Sequence, residues 1–306
     1  MKISVCIPAY KNADFLQRCL NSLVSQHFKD VEVILSDDSP DDSVAEIATA
    51  YKDRLHIIYH KNQPALGTPA NWNYAMKLAT GDYLKLMHDD DWLATDDALQ
   101  KYYDCLVANP QVNFCFSAFN NVNLAHGNST AVHCSQALRN LLKKDRYNLF
   151  KYNFIGPPSA IFQRNTEDIN YDENLKWLVD FEGYIRFLGG DNNFIYIDQP
   201  LVNIGLGAEQ VTASTKNVKE VVLPESLYFL NKHGVQILKN IWVYDFYWRS
   251  FRNLKVKTVA DLRAAGWQGN IPNEIVQMLQ WQRMFPHALL KIGAISKILM
   301  AIGWMK

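Results

Sequence analysis

Three consecutive carboxylates stand at the end of a short apolar run, Gly81-Asp82-Tyr83-Leu84-Lys85-Leu86-Met87-His88-Asp89-Asp90-Asp91-Trp92. Adjacent carboxylates repel one another, and a divalent cation that prefers oxygen ligands relieves the repulsion by binding among them. The competing reading is a solvated acidic turn that caps the next helix, a setting in which Asp is common. A second acidic group, Asp37-Asp38-Ser39-Pro40-Asp41-Asp42, follows another apolar run, Val31-Glu32-Val33-Ile34-Leu35-Ser36. The residue types alone leave both readings open at each cluster.

The elements that must carry these clusters are legible from periodicity. Residues 83–87 lack Gly and Pro and suit a strand of about five residues. Residues 3–8 and 31–36 are similar runs, each followed by helical spacing, at 14–28 and 44–53. Ser43 with Glu46 three positions later has the form of a capping box for the second helix. A strand at 55–59, a loop holding Pro64, Gly67 and Pro69, and a helix over 70–79 lead into the acidic strand. A helix over about 95–108 and an apolar segment at 112–119 follow. Alternation of strands and helices predicts an α/β fold with a mostly parallel sheet, right-handed crossovers and ligands at the carboxyl ends of the strands. Both acidic clusters then share one rim.

Residues 120–153 are polar and mixed, and are expected to cover the sheet rather than join it, with a helix near 135–144. A strand is expected to end the stretch 153–162, a helix to occupy 179–188, and a last strand, 194–197, to stop before Pro200. From about residue 216 the pattern is helical and rich in aromatics, whose stripe reads as packing. The apolar stretch from Phe285 to Met305 reads as one helix, suited either to a membrane interface or to docking on protein.

Composition narrows the partners. The chain has 306 residues with 31 basic and 31 acidic side chains, which gives no global argument for nucleic acid. Its five cysteines are odd in number and lack CxxC spacing, which points to buried thiols in a reducing, cytoplasmic setting. No stretch offers the roughly 20 uninterrupted apolar residues of a spanning helix.

Taken in order, Val5-Cys6-Ile7-Pro8-Ala9-Tyr10-Lys11-Asn12, Val33-Ile34-Leu35-Ser36-Asp37-Asp38-Ser39, Asn71-Trp72-Asn73, Gly81-Asp82-Tyr83 with His88-Asp89-Asp90-Asp91, Gly156-Pro157-Pro158-Ser159-Ala160 and Asp180-Phe181-Glu182 resemble the family 2 glycosyltransferases of the GT-A fold. The likeness covers about residues 1–205. It implies a GT-A catalytic domain over 1–215, followed by a helical C-terminal region over 216–306 with an amphipathic terminal helix. It also implies an inverting, metal-dependent transfer of sugar from a UDP- or dTDP-sugar to a hydroxyl of a polysaccharide or lipid-linked oligosaccharide. By position, Pro8, Ala9 and Tyr10 would lie under the base and ribose, and Asp38 would accept the imide N–H of a uracil or thymine ring. Asp90 would bind Mn²⁺ or Mg²⁺, with Asp89 beside the ribose or a metal-bound water, and Asp91 would cap the next helix. His88 stands where the family's first Asp is usual, and slightly favours Mn²⁺. Asp180, rather than Glu182, falls at the general base. Asn203-Ile204-Gly205 replaces the Arg-x-His found in relatives near the diphosphate. The expected location is cytoplasmic, with a possible peripheral position on the inner face of the cytoplasmic membrane. The competing readings are a nucleotidyltransferase that makes the activated sugar, against which stands the lack of a Gly-rich phosphate loop after residue 8, and a sugar-nucleotide-binding subunit without turnover.

Overall fold

The computed structural model describes residues 2–167, 169–207 and 218–305. The expected boundary at 215/216 lies outside the described residues. The N-terminal half alternates as expected: β1 (Ile3–Ala9), α1 (Ala13–Val24), β2 (Val31–Asp37), α2 (Ser43–Tyr51), β3 (His56–Lys61), α3 (Ala70–Lys77), β4 (Tyr83–Leu86), a short β5 (Trp92–Leu93) and α4 (Ala98–Val107). Then come β6 (Phe114–Asn123), β7 (Ser129–Val132), α5 (Gln136–Lys144), β8 (Ile161–Arg164), α6 (Val179–Phe187) and β9 (Ile195–Leu206). The sheet order is β3-β2-β1-β4-β8-β6-β9-β5, with β7 paired to β6.

β3, β2, β1 and β4 run parallel, and every residue of β1 is buried, which is why its sequence is an unbroken apolar run. Beyond β4 the sheet becomes mixed: β8 is antiparallel to both β4 and β6, and β9 is parallel to β6. Pro8 is tolerated within β1 because β4 pairs only as far as Cys6 with Leu86, so β1 has a single neighbour at that level.

Several sequence expectations are corrected. The segment after residue 120 is sheet, since β6 extends to Asn123 and forms a hairpin with β7. Its asparagines concealed the strand; Asn120 satisfies its amide by donating to Asn203 Oδ1 across β6 and β9 at 2.8 Å. β9 does not stop before Pro200. The register against β6 slips on both sides of Ala118, and this irregularity admits the proline. At α2 there is no capping box: Asp42 is the N-cap residue without a side-chain cap bond, and the Ser43 hydroxyl donates to Asp41 Oδ1 at 2.6 Å instead. The stretch from Phe285 to Met305 is not one helix but two, His287–Leu290 and Gly293–Trp304, broken at Ile292, whose backbone is extended. Ser296 then turns inward, accepting from Trp248 Nε1 at 3.0 Å and from Arg252 at 2.9 Å.

Two apolar layers sandwich the sheet. One holds Val5, Ile7, Leu16, Leu20 and Leu99. The other runs without interruption from Leu84, Phe114 and Phe116 into the C-terminal helices Lys219–His233 and Ile241–Asn253, through Phe150 against Phe229 (5.1 Å) and Phe246 (5.0 Å). The C-terminal region therefore completes the core of the sheet. Among the described residues no helix is long and apolar enough to cross a membrane.

The spacing of β1, β2 and the turn before β4 is fixed by one buried carboxylate, Glu32. It accepts from Ser4 Oγ at 2.5 Å and from Thr80 N at 2.7 Å, and it pairs with Lys2. Burial alone would raise its pKa, but hydrogen bonds from Lys2, Ser4 and Thr80 hold it down at about 2. As pH falls the unfolded chain takes up this proton first, so the stability due to Glu32 is whole above the ordinary carboxyl range and is lost towards pH 2. Urea denaturation should give a Glu32→Gln protein with a visibly flatter dependence of unfolding free energy on pH across that acid window; an unchanged slope would show that Glu32 is protonated alike in both states.

Candidate active site

The carboxyl ends of β1, β2 and β4 meet through backbone contacts. Asp38 N donates to Ala9 O at 3.0 Å, Lys11 N to Ser39 Oγ at 2.7 Å, and Tyr10 N to Asp89 Oδ2 at 3.0 Å. Pro8, Ala9, Tyr10, Asp38 and Asp89 are thereby brought together at one rim, with the Tyr10 side chain 52% exposed beside them. Asp37 turns inward, accepting from Ser39 N, Tyr59 Oη and Lys61 Nζ, which makes it the structural member of its pair. Asp38 is also buried. Its Oδ1 accepts from Asn62 Nδ2 (2.8 Å) and Leu66 N (3.0 Å), and its Oδ2 accepts from Gly67 N (2.7 Å). It thus holds the loop between β3 and α3 against the rim, and one acceptor position remains on Oδ2.

At the end of β4 the chain turns so that His88, Asp90 and Asp91 each present one ligand atom within 4.8 Å of the others. His88 N donates to Ser159 Oγ at 3.0 Å, and the same hydroxyl is hydrogen-bonded to Asp91. The His88 ring lies 4.9 Å from Trp72, and its buried Nε2 has no hydrogen-bond partner. Burial, followed by the charge of Asp90, pushes Asp91 well up. Asp89 rises to about 7, chiefly through burial, with Asp90 adding to it. Burial also pushes the His88 imidazolium down. The three carboxylates are thus crowded past the point where all can stay ionised without a counter-charge. An imidazole nitrogen and two carboxylates form a donor set that fits a divalent cation, Mn²⁺ suiting both ligand types.

Asp91 is not the cap expected from sequence. It is 2% exposed, lies well before α4, whose N-cap is Asp97, and accepts from Gly205 N at 3.1 Å. That contact needs a glycine, because a Cβ at position 205 would sit 2.6 Å from Asp90 O. Asn203-Ile204-Gly205 therefore supplies a backbone donor to the cluster where the family resemblance suggested basic side chains.

Asp180 opens the first turn of α6. It is half-buried, its Oδ1 has no partner, and burial raises it to about 7. Its charge is felt by Tyr171 and Tyr184. Tyr171 packs edge-on against Trp72 at 5.2 Å, and Trp72 in turn faces His88, so a row of rings links the surroundings of Asp180 to the acidic cluster. Glu182, by contrast, is fully buried and bound by Arg186 (3.0 Å) and Lys232 (2.8 Å), which lower its pKa against the opposing effect of burial. Its oxygens are already engaged, whereas one oxygen of Asp180 is free.

Two residues of this region escaped the sequence reading. Lys85 is fully buried in β4, donates to the carbonyls of Ser159 and Ile161, and lies 4.4 Å over the Tyr102 ring; burial pushes it down to about 7. A lysine inside a strand of the central sheet was the signal available. Glu225, on the helix Lys219–His233, accepts from Lys176 N (2.9 Å), Trp177 N (2.8 Å) and Leu178 N (3.0 Å), capping the entrance to α6 from outside. Nothing near residue 225 in the sequence announces a partner 48 positions away.

Known proteins resemble this chain in sequence and in fold. Residues 4–168 match the model described as glycosyl transferase family 2. The chain is similar to the abequosyltransferase RfbV of Salmonella typhimurium, 36% identical over 110 residues, which is 34% of this chain and 33% of that protein. It is also similar to the poly(ribitol-phosphate) beta-glucosyltransferase of Bacillus spizizenii, 34% identical over 106 residues, 33% of this chain and 17% of that protein. The matched stretch thus spans a third or less of these curated relatives. Among solved structures, S. aureus TarS 1–349 in complex with UDP-GlcNAc superposes with a TM-score of 0.63 at 19% identity, covering 100% of this chain and 91% of that one, a likeness of fold.

The Glu225 cap gives a direct test. Glu225→Ala leaves three N–H groups at the head of α6 without a partner and should cost about 3 kcal/mol in urea denaturation, while Glu225→Gln, which keeps an acceptor, should lose less than half of that; equal losses would mean that packing alone secures the helix.

Proposed function

Since the chain belongs to glycosyl transferase family 2, we propose that it moves a sugar, with inversion, from a UDP- or dTDP-sugar to a hydroxyl of a polysaccharide or lipid-linked oligosaccharide, aided by Mn²⁺ or Mg²⁺. The observation that carries this reading is Asp180: a carboxylate with an unpartnered oxygen, raised to about 7, whose charge reaches Tyr171, which packs on Trp72 beside His88 of the acidic rim. A base poised near neutrality can take the proton of an acceptor alcohol as that oxygen attacks the anomeric carbon.

The remaining residues have roles in the same reading. The ends of β1 and β2 receive the nucleotide, with Tyr10 against the base or ribose and the vacant acceptor position of Asp38 Oδ2 meeting the imide N–H of a uracil or thymine ring. Such a carboxylate has no use for the unprotonated ring nitrogen of cytosine. Asp89, fixed by Tyr10 N, faces the ribose. His88, Asp90 and Asp91 would hold the cation, which when bound neutralises the diphosphate and the charge that develops on the leaving group. Lys85 and Ser159 keep the segment 156–160 against β4, and so shape the floor on which sugar and acceptor meet. A peripheral position on the cytoplasmic face of a membrane, through the stretch from Phe285 to Met305, would bring the enzyme to a lipid-linked acceptor.

Three outcomes are expected. Thermal-shift measurement with Mn²⁺ should give stabilisation by UDP- or dTDP-sugars and little by GDP-sugars, and Asp90→Ala should remove it; a preference for purine donors would overturn the role of Asp38. Asp180→Asn should lower kcat by about 10²–10⁴-fold with donor binding intact; retained turnover would exclude Asp180 as base. Because the base works ionised, kcat/KM for the acceptor should climb as pH rises through about 7 and then level off; a rate that falls over that range would contradict the assignment.

A further inference from the structure

The C-terminal helices enclose a cavity of about 640 Å³, lined by Arg252, Lys255, Lys257, Arg283, His287 and Met284 among others, which the transfer proposed above does not use. Its charge is one-sided. The chain as a whole is neutral, yet residues 218–305 carry eleven Lys and Arg against five Asp and Glu, so the excess of positive charge is concentrated here. Asp245 is taken by Arg249 at 2.8 Å, and Asp261 caps its own helix through the N–H groups of Lys257 and Thr258. Arg252 is held in place by donating to Ser296 Oγ at 2.9 Å. Among the described residues the side chains of Lys255, Lys257, Arg283 and Lys291 make no hydrogen bond or ion pair, and all four are exposed. Partial burial, and the charges of Lys291, Lys255, Lys257 and Arg252, push the His287 imidazolium down, so these cations converge on one place.

The backbone adds an independent sign. The helix Ile241–Asn253 ends in a Schellman turn, with Val256 N donating to Phe251 O at 2.8 Å and Lys255 N to Arg252 O at 3.3 Å. The left-handed position of that turn, usually glycine or asparagine, is Lys255, with φ of 57°. A cationic side chain stands where the backbone alone favours another residue.

The cavity wall carries an exposed apolar residue, and more follow it in the chain. Met284 lines the cavity and is 70% exposed. Ile292 follows, and Ile298 and Ile302, four apart, share one face of the last helix, with Met305 at its C-cap. Six of the eleven large apolar residues exposed in the described protein lie between 284 and 305, so the apolar exposure is gathered in the same C-terminal stretch of chain as the cations.

We propose that this cavity binds the phosphate head of an anionic membrane lipid, with Arg252, Lys255, Lys257 and Arg283 around the phosphate and Met284, Ile292, Ile298 and Ile302 in the acyl boundary. Cations beside an apolar face are the complement of a phosphate attached to a hydrocarbon chain, whereas a nucleic acid or a soluble polyanion would leave the apolar face unused. The proposal rests on the membrane-side acceptor reading given above, which it deepens by naming the site and the lipid chemistry.

Co-sedimentation of the full chain with vesicles tests it. Vesicles of phosphatidylcholine with phosphatidylglycerol should capture the protein, and phosphatidylcholine alone should do so at least about tenfold less well. Lys255→Ala/Lys257→Ala and, separately, Ile298→Ser/Ile302→Ser, all at exposed positions, should each weaken capture by about tenfold, with an unchanged melting temperature as the control for folding. Equal capture by neutral vesicles, or capture indifferent to the lysine pair, overturns the proposal. Stabilisation by inorganic diphosphate without capture by any vesicle would assign the cavity to soluble phosphate and overturn the lipid source. Asp180→Asn should bind vesicles like the parent while failing to transfer sugar, so the lipid site and the catalytic reading fail separately.

Discussion

The crowding of negative charge at the end of β4 is the constraint around which the surrounding structure is arranged. Asp89, Asp90 and Asp91 follow one another in sequence, and each is dealt with differently: Asp89 is pinned by Tyr10 N, Asp91 is drawn inward to Gly205 N and Ser159, and Asp90 keeps company with His88 and Asp91 in a ligand set. Each of these contacts comes from a different strand end or loop. The parallel register of β1, β2 and β4 places Tyr10 N, and Glu32 below it fixes that register through Ser4 and Thr80, while Ser159 comes from the turn before β8 and Gly205 from β9. Separating the carboxylates would relieve their repulsion; keeping them together costs stability that a cation bound among them would restore.

The C-terminal region belongs to the same construction. Its first helix closes one face of the core and reaches α6 twice, through Glu225 at the head of that helix and through Lys232 at Glu182. Asp180 lies between these two attachments. Its position is therefore set by residues far along the chain, and its neighbours in the first turn are tied so firmly that it alone keeps a free oxygen.

What could be read in the sequence follows from the range of each interaction. Both acidic clusters were legible because a strand that ends in carboxylates is a local pattern, and the alternation of strands and helices placed them on one rim. The assignment of Asp180 came from family resemblance, since nothing in Val179-Asp180-Phe181 distinguishes it locally from Glu182; the buried ion pairs of Glu182 do so in the fold. Where local pattern misled, a tertiary contact had overridden it. Asn120 of β6 finds an amide partner in β9, Pro200 is absorbed by a shift of register, and Asp91 serves a backbone amide 114 positions away rather than the next helix. The last apolar stretch looked like a single helix because its inward serine is hidden in a hydrophobic run, and only Trp248 and Arg252 explain why Ser296 faces the core.

The central claim is that the acidic rim and Asp180 serve one cleft. Anomalous scattering from crystals soaked with Mn²⁺ and UDP examines it most directly. A manganese peak coordinated by Asp90, with the diphosphate on its open side and the Asp180 carboxylate facing the space beyond it, is the expected result. A peak away from Asp90, or an Asp180 side chain turned to a different surface from the bound nucleotide, would contradict the account.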